Sequence, residues 1–263
     1  MDLGLKGKVA IVAASTKGLG RAAALSLAGE GANVVICGRH KANLSEAAEE
    51  IESRTGKIPL SIQADVTKSV DIDRLFNQTL KHFSTIHILV TNAGGPPTGY
   101  FMDFNDEQWL NAVELNLMST VRLIRSAIPT MLQNNWGRIV NITSLAVKQP
   151  IENLVLSNSV RAAVVGLAKT ISRDYAKNNI LINNVAPGMI MTRRIESMLE
   201  ERAVNDLITK EKALELMVKE IPMGRLGRPE EVGDLIAFLC SEKNTYITGA
   251  TIQIDGGMYR GMF

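Results

Sequence analysis

The chain is poor in the residues that build metal sites, disulfide frameworks and membrane spans. Its 263 residues include two cysteines, Cys37 and Cys240, and three histidines, His40, His82 and His87. This set predicts free thiols and no metal site, because neither disulfide-framework spacing nor metal-ligand spacing is present. No apolar run approaches membrane-spanning length, and the first residues contain no apolar signal core. We therefore expect a cytoplasmic protein.

An excess of one charge is also missing. The 29 basic and 27 acidic residues leave a net charge of +2, and no long run of one sign interrupts the chain. Neither nucleic acid nor a membrane is indicated as a partner. The hydrophobic content of 46% is enough for a sizeable core, and we expect one domain over residues 1–263.

Apolar, strand-like runs alternate with amphipathic, helix-like runs along the chain. This pattern predicts an α/β fold: a doubly wound, Rossmann-like parallel sheet of about seven strands with helices on both faces. Ligands of such sheets bind at the carboxyl ends of the strands. The predicted strands are residues 9–14, 33–37, 58–64, 86–92, 137–143, 180–186 and 250–254, and the predicted helices are residues 19–29, 42–55, 70–82, 107–133, 153–177 and 230–240.

A glycine-containing turn follows the first strand and leads into an alanine-rich helix. Unpaired N–H groups and the positive end of the dipole at a helix N-terminus bind phosphate without a basic side chain. Glycines in the turn allow the backbone to approach a ligand closely, although a glycine pair alone is equally typical of a plain tight turn. The residues predicted to contact a ligand here are Ser15, Lys17, Gly18, Leu19 and Gly20.

Short motifs follow the later strands as well. Any one of them is unremarkable, but seven in this order make the chain resemble the short-chain dehydrogenase/reductase family over nearly its whole length. Residues 224–232 also resemble the segment that precedes the last helix of that family. The seven motifs are Ala14 to Gly20, Asp65-Val66, Thr91 to Gly94, Asn116, Ser144, Pro187-Gly188 with Thr192, and Asp255 to Gly257.

The resemblance implies a nicotinamide dinucleotide as cofactor. For Asp65 the alternative to a cofactor contact is a solvated loop carboxylate. For residues 92–94 the alternative is a purely structural role. The expected contacts are Asp65 and Val66 at the adenine, Asn92, Ala93 and Gly94 beside the adenosine ribose, and Pro187, Gly188, Ile190 and Thr192 at the nicotinamide.

Charge at the end of the second strand favours NADP over NAD. Dinucleotide folds that prefer NAD carry a carboxylate there for the ribose 2′-hydroxyl, whereas residues 37–40 read Cys-Gly-Arg-His. Lys17 and Arg39 are positioned to close on a 2′-phosphate from two sides, and arginine binds phosphate bidentately. The alternative is that both are ordinary surface cations.

The chain departs from the family pattern at two places. The family's opening glycine falls on Ala14, whose methyl group crowds the phosphate approach. Counting thirteen and then four residues from Ser144, the positions of the family's tyrosine and lysine hold Ser157 and Arg161. The tyrosine donates the proton that hydride transfer to a carbonyl requires. Ser157 is shorter and a weaker acid, and Arg161 can hold the nicotinamide ribose but cannot relay a proton.

Other polar residues complete the predicted catalytic set. Ser144 is expected to donate to a carbonyl oxygen, and Asn116 to open its helix locally around a water. Tyr100, in the loop after the fourth strand, is a candidate substitute for the missing tyrosine, as are Lys148 and Glu152. For these three the alternative is a solvated side chain. The set is Ser144, Asn116, Ser157, Arg161 and Tyr100.

Residues 189–221 are predicted to form a lid, with ordinary packing of a peripheral helix as the alternative. Their apolar side chains recur at helical spacing, which suits a hydrophobic small-molecule substrate. The last helix and strand resemble the family's tetramer-forming surface, so we expect a homotetramer. The predicted apolar face holds Ile195, Met198, Leu199, Leu207, Leu214, Met217 and Val218.

Two classes of function stay open. The first is an NADP-dependent oxidoreductase acting on a carbonyl or alcohol despite the replaced Tyr/Lys pair. The second is a catalytically silent NADP-binding sensor or interaction protein on the same fold.

Overall fold

Seven short strands form one parallel sheet in the computed structural model, which describes residues 2–262. The strand order is β3-β2-β1-β4-β5-β6-β7, so it reverses between β1 and β4. This confirms the predicted doubly wound sheet and puts the ligand-binding crevice at the carboxyl ends of those two strands. The strands are β1 (Val9–Val12), β2 (Asn33–Gly38), β3 (Leu60–Gln63), β4 (Ile88–Thr91), β5 (Gly137–Ile142), β6 (Ile180–Pro187) and β7 (Thr251–Ile254).

Helices cover both faces of the sheet. Side chains alternate across a strand, so Ala10 and Val12 of β1 face one core with the first and last helices, while Val9 and Ile11 face a second core. Strands β1, β2, β4, β5 and β6 are buried on both faces, which explains their apolar runs, whereas the edge strands β3 and β7 are more exposed. The helices are α1 (Gly18–Gly29), α2 (Lys41–Thr55), α3 (Ser69–Phe83), α4 (Asp106–Ala112), α5 (Ser119–Asn134), α6 (Val155–Tyr175), α7 (Arg193–Asn205), α8 (Lys210–Val218) and α9 (Pro229–Leu239).

The single helix predicted over residues 107–133 is interrupted. A π-helical turn, Val113–Met118, separates α4 from α5. The hydroxyls of Ser119 and Thr120 donate to main-chain carbonyls in this turn, at 2.5 Å to Leu115 and 2.9 Å to Asn116. The local opening expected around Asn116 is therefore present, and π-helical turns of this kind are frequent at functional sites.

The first strand ends earlier than the pattern indicated. Ala14 has a backbone φ of +45°, in the left-handed region, and so belongs to the turn. A side chain in this conformation costs about 1 kcal/mol relative to glycine. Glycine at this position would therefore relieve backbone strain, in addition to the crowding by the methyl group inferred from the sequence.

Residues 189–221 contain two helices, α7 and α8, with a small apolar core of their own that includes Ile195, Leu199 and Ala213. The prediction was wrong for Leu207, which is 93% exposed and has a φ of +53° in the turn between the helices. A helix break at that turn, which periodicity does not reveal, rotates this side chain out of the apolar face.

The expected free thiols are present. Cys37 and Cys240 are both buried and unpaired, and burial raises the pKa of Cys37 to about 11 and that of Cys240 to about 12. Within residues 2–262, no three histidine, cysteine, aspartate or glutamate side chains are grouped as metal ligands. None of the helices described has the length and apolar content needed to cross a bilayer.

Candidate active site

A cleft of about 950 Å³ opens at the carboxyl ends of the central strands. The segments that line it follow β1, β2, β3, β4, β5 and β6, and the start of α7 closes one side. Its volume is at the upper end of the range for small-molecule and cofactor sites. Of the predicted cofactor-binding residues, the following line the cleft: Lys17, Gly18, Leu19, Arg39, Asp65, Val66, Asn92, Ala93, Gly94, Arg161, Pro187, Gly188, Ile190 and Thr192.

The structure places Ser15 away from the cleft, contrary to its predicted contact with a cofactor. Its side chain is fully buried, with the hydroxyl donating to the Val12 carbonyl at 2.7 Å and accepting from the Cys37 N–H at 3.1 Å. Ser15 therefore joins β1 to β2 behind the glycine turn. From the sequence alone, the serine of such a turn is equally typical of a ligand contact and of a hydrogen-bonded link between two strands.

Gly20 and Asn92 set the shape of the turn. The Asn92 side-chain amide donates to the Ala14 carbonyl at 3.1 Å, so it connects the end of β4 to the turn. A Cβ on Gly20 would lie 2.7 Å from both the Ala14 carbonyl oxygen and this amide nitrogen. Gly20 therefore does not line the cleft but lets α1 pack directly against the turn.

Replacing Gly20 with alanine is expected to weaken NADPH binding about tenfold or more, because the added methyl group must push the turn out of shape at a cost of about 1–3 kcal/mol. Calorimetric titration and thermal unfolding measure the two effects. Gly29→Ala is the matched control in the same helix, since a Cβ there meets nothing within 4 Å. Equal NADPH affinity in wild type and Gly20→Ala would contradict this account of the turn.

One end of the cleft is suited to phosphate. Lys17 and Arg39 both line it, and neither forms an ion pair within the described chain. The N-terminus of α1 opens onto the same end and has no side-chain cap. Cations beside free helical N–H groups form an anion site, which fits the phosphates of the predicted dinucleotide.

Asp65 stands beside this anion site. Burial alone would raise the pKa of Asp65, but hydrogen bonds from the N–H and hydroxyl of Thr67, at 3.0 and 2.8 Å, together with the charge of Arg39, hold that pKa below its usual value. Both bonds go to Oδ1, so Oδ2 is available to accept from a ligand such as an adenine amino group.

Ser144 and Ser157 form part of the wall at the other end. The Ser144 hydroxyl accepts from the Ala146 N–H at 3.2 Å and donates to nothing within residues 2–262, so its proton is free for a ligand oxygen. Ser157 is 7% exposed and has no hydrogen bond within the described chain. Both hydroxyls are therefore available to a ligand in the cleft.

Arg161 is half-buried and opens onto the cleft. Its guanidinium donates to the carbonyls of Ile142 at 3.2 Å, Thr143 at 3.4 Å and Gly94 at 3.5 Å. Burial, and then the charge of Arg194, lower the pKa of Arg161 to about 10. Arg161 therefore still carries its charge at neutral pH and, as expected from its chemistry, cannot relay a proton there.

Asn116 lies behind the wall of the cleft. Its Nδ2 donates to the same Gly94 carbonyl at 3.0 Å, while its Oδ1 is buried without a partner in the described chain. The Gly94 carbonyl oxygen thus accepts from both Asn116 and Arg161. The Asn116 Oδ1 remains available to a donor.

Tyr100 is not one of the residues lining the cleft. The side chain is 56% exposed, and its hydroxyl donates to Glu152 at 3.0 Å. That hydrogen bond, together with the Glu152 charge, raises the pKa of Tyr100. A higher pKa makes it a weaker acid, so of this pair Glu152, which does line the cleft, is better placed to exchange a proton with a ligand.

The sequence reasoning missed two arginines. Arg193 and Arg194 open α7 and line the cleft. The Arg194 guanidinium lies over Gly95, where a Cβ would clash with it. Two consecutive arginines directly after Thr192 are the sequence signal for them.

The start of residues 189–221 is fixed to the rest of the fold. Met191 donates its N–H to the Gly227 carbonyl at 2.8 Å, and the Gly227 N–H donates to Met189 at 2.9 Å. A Cβ on Gly18 would lie 3.8 Å from the methyl group of Thr192. The chain after β6 therefore crosses the cleft to the glycine turn before α7 begins.

Comparison with known proteins agrees with the geometry. Residues 13–259 match the family model described as enoyl-(acyl carrier protein) reductase. The chain is 34% identical over 259 residues to the 3-oxoacyl-[acyl-carrier-protein] reductase of Aquifex aeolicus, covering 98% of this chain and all of that one. It is also 34% identical over 254 residues to dehydrogenase/reductase SDR family member 4 of Oryctolagus cuniculus, covering 96% and 94%.

Solved structures agree as well. L-sorbose reductase from Gluconobacter frateurii, complexed with NADPH and L-sorbose, superposes with a TM-score of 0.96 and 32% identity over the full length of both chains. Actinorhodin polyketide ketoreductase with NADPH gives a TM-score of 0.91 at 29% identity, covering 96% of this chain and 97% of that one. The chain belongs to the short-chain dehydrogenase/reductase family of NAD(P)-dependent oxidoreductases.

Proposed function

We propose that this protein is an NADP(H)-dependent oxidoreductase that interconverts a carbonyl and an alcohol. The observation that carries the proposal is the cleft itself, which has a phosphate-binding end at Lys17 and Arg39 and a hydroxyl-lined end at Ser144. The NADPH complex of L-sorbose reductase, with a TM-score of 0.96, supports the same choice of cofactor.

The residues at the hydroxyl-lined end have separate tasks in this proposal. NADPH, when bound, supplies the hydride to the carbonyl carbon. The Ser144 hydroxyl donates to the carbonyl oxygen and orients it. The Arg161 charge keeps this part of the cleft positive and so favours bound negative charge, because a fixed cation in a partly desolvated site acts without reorganisation. A proton must then reach that oxygen to complete the alcohol.

The proton donor is the weak part of this site. Ser157 occupies the family's tyrosine position but has the acidity of an aliphatic alcohol, and Glu152 is engaged by Tyr100. General acid catalysis contributes about 10²–10⁴-fold to such reactions. We therefore propose that protons arrive from solvent through the open side of the cleft and that turnover is slow.

A second candidate follows from the same replacement. Since the Tyr and Lys positions hold Ser157 and Arg161, the protein could bind NADP without reducing a substrate, as a sensor or interaction protein on the same fold. The phosphate-binding end would then remain functional while the hydroxyl-lined end had lost its reaction.

We further propose a single domain over residues 1–263 with residues 189–221 as the substrate lid, a homotetrameric assembly and a cytoplasmic location. The substrate would be a small molecule with an apolar part, since the lid side of the cleft includes Met189, Ile195, Met198 and Met258.

Binding and turnover of NADPH test the two candidates together. Calorimetry with NADPH should give micromolar binding or tighter, and absorbance at the nicotinamide band should then fall slowly with a panel of aldehydes and ketones. Binding without oxidation of NADPH across the panel would favour the sensor. Absence of heat with any nicotinamide dinucleotide would remove both candidates and leave only the fold.

A further inference from the structure

Two arginines without acidic partners reach neighbouring points of the cleft. Arg161 comes from α6 and Arg194 from α7, and their guanidinium groups reach the consecutive residues Gly94 and Gly95. We propose that this pair binds a carboxylate of the substrate, so that the enzyme acts on an oxo acid rather than on a neutral carbonyl compound. The inference rests on the proposed function and names its substrate class.

Arg194 is an unpartnered cation. It forms no hydrogen bond or ion pair within residues 2–262, although α7 and α8 contain ion pairs such as Lys210 with Glu200. Its position over Gly95 depends on the absence of a side chain there, because a Cβ would overlap the guanidinium. An exposed arginine held across a cleft, with no acidic partner, has its donors free for a ligand.

Arg161 lacks an acidic partner too. Its acceptors are three main-chain carbonyls, which satisfy donors without neutralising charge. Burial and the nearby charge of Arg194 both disfavour the charged form of Arg161. A bound carboxylate offsets both effects, and arginine matches its two oxygens with paired N–H donors.

The acidic residues of the cleft do not balance this pair. Asp65 and Glu152 are the carboxylates that line it. Asp65 is at the adenine end and is held by Thr67, and Glu152 accepts the Tyr100 hydroxyl. Neither forms an ion pair with Arg161 or Arg194 among the residues described, so the substrate end retains an excess of positive charge.

The phosphates of the cofactor have other partners. Lys17, Arg39 and the N-terminus of α1 form a phosphate site at the glycine turn, whereas the Arg194 guanidinium lies over Gly95, after β4. The apolar side chains next to Arg194, which include Ile195 and Met198, suit a hydrocarbon chain beyond the carboxylate. An oxo acid with an apolar chain fits both features.

The test measures binding to protein saturated with NADP⁺, so that no reduction takes place. Oxooctanoates with the carbonyl at successive positions are titrated by calorimetry, each beside its neutral primary amide. At least one acid should bind about tenfold or more tightly than its amide, as expected for a charge-assisted pair. Arg194→Gln should abolish that preference while leaving amide binding and NADP⁺ affinity within about twofold.

Arg173→Gln is the matched control, because it removes one positive charge from an exposed residue near the end of α6, away from the cleft. It should retain the preference for acids. Equal binding of acids and amides to wild type would overturn the inference, as would a loss of NADP⁺ affinity in Arg194→Gln, which would assign Arg194 to the cofactor. If wild type does not bind NADP⁺, the cofactor titration shows this before any acid is added. That result would overturn the proposed function itself.

Discussion

The double variant Ser157→Tyr/Arg161→Lys is expected to reduce carbonyl compounds about 10²–10⁴-fold faster than the natural protein, the range that a positioned general acid contributes. The phenol would restore a proton donor within the cleft wall, where Ser157 already stands with an unbonded hydroxyl. The lysine would replace a cation that cannot release its proton with one that shares in proton transfer. The measurement is kcat for NADPH oxidation with the best aldehyde or ketone found for wild type, or with the whole panel if none is turned over.

The control is Ser157→Phe/Arg161→Lys, which adds the same ring without the hydroxyl. It separates proton donation from the effect of filling the cleft, because the two variants differ by one oxygen atom. Equal rates for the tyrosine and phenylalanine variants, with NADPH binding intact in both, would show that a missing proton donor does not limit this site. A rate increase confined to the tyrosine variant would mean that the natural replacement costs activity.

The parallel sheet was predictable because its cause is local. Residues such as Val9, Ile11 and Val12 form short apolar runs typical of strands buried on both faces, and their alternation with helices favours a parallel, doubly wound sheet. The π-helical turn at Asn116 was predicted as a local opening only through the family resemblance, since the periodicity of residues 107–133 shows no interruption.

The distribution of contacts within the site was less predictable. A sequence identifies Ser15 as a polar residue of the glycine turn, but which side of the turn its hydroxyl faces depends on β2, which is brought beside it by the sheet. The position of Arg194 depends likewise on the start of α7 lying beside Gly95. These contacts depend on packing between segments that are distant in sequence, so neither residue spacing nor composition predicts them.

Arg39 is expected to decide the choice between the two dinucleotides. Arg39→Ala should weaken NADPH binding about 10–100-fold, because it removes charge-assisted hydrogen bonds to the 2′-phosphate, each contributing about 1.5–3 kcal/mol. NADH lacks that phosphate, so its affinity should change by less than about threefold. Calorimetric titration of both dinucleotides into wild type, Arg39→Ala and Lys17→Ala/Arg39→Ala measures this, with the largest loss in the double variant.

Salt provides an independent readout of the same contact. Screening weakens charge pairs that are open to solvent, so added salt should reduce the NADPH affinity of wild type more than that of Arg39→Ala. Lys81→Ala is the control, because it removes an exposed charge in the last turn of α3, which lies outside the cleft. If wild type bound NADH as tightly as NADPH, and Arg39→Ala left NADPH affinity unchanged, Lys17 and Arg39 would be ordinary surface cations, and the cofactor would be chosen by the adenine and nicotinamide contacts alone.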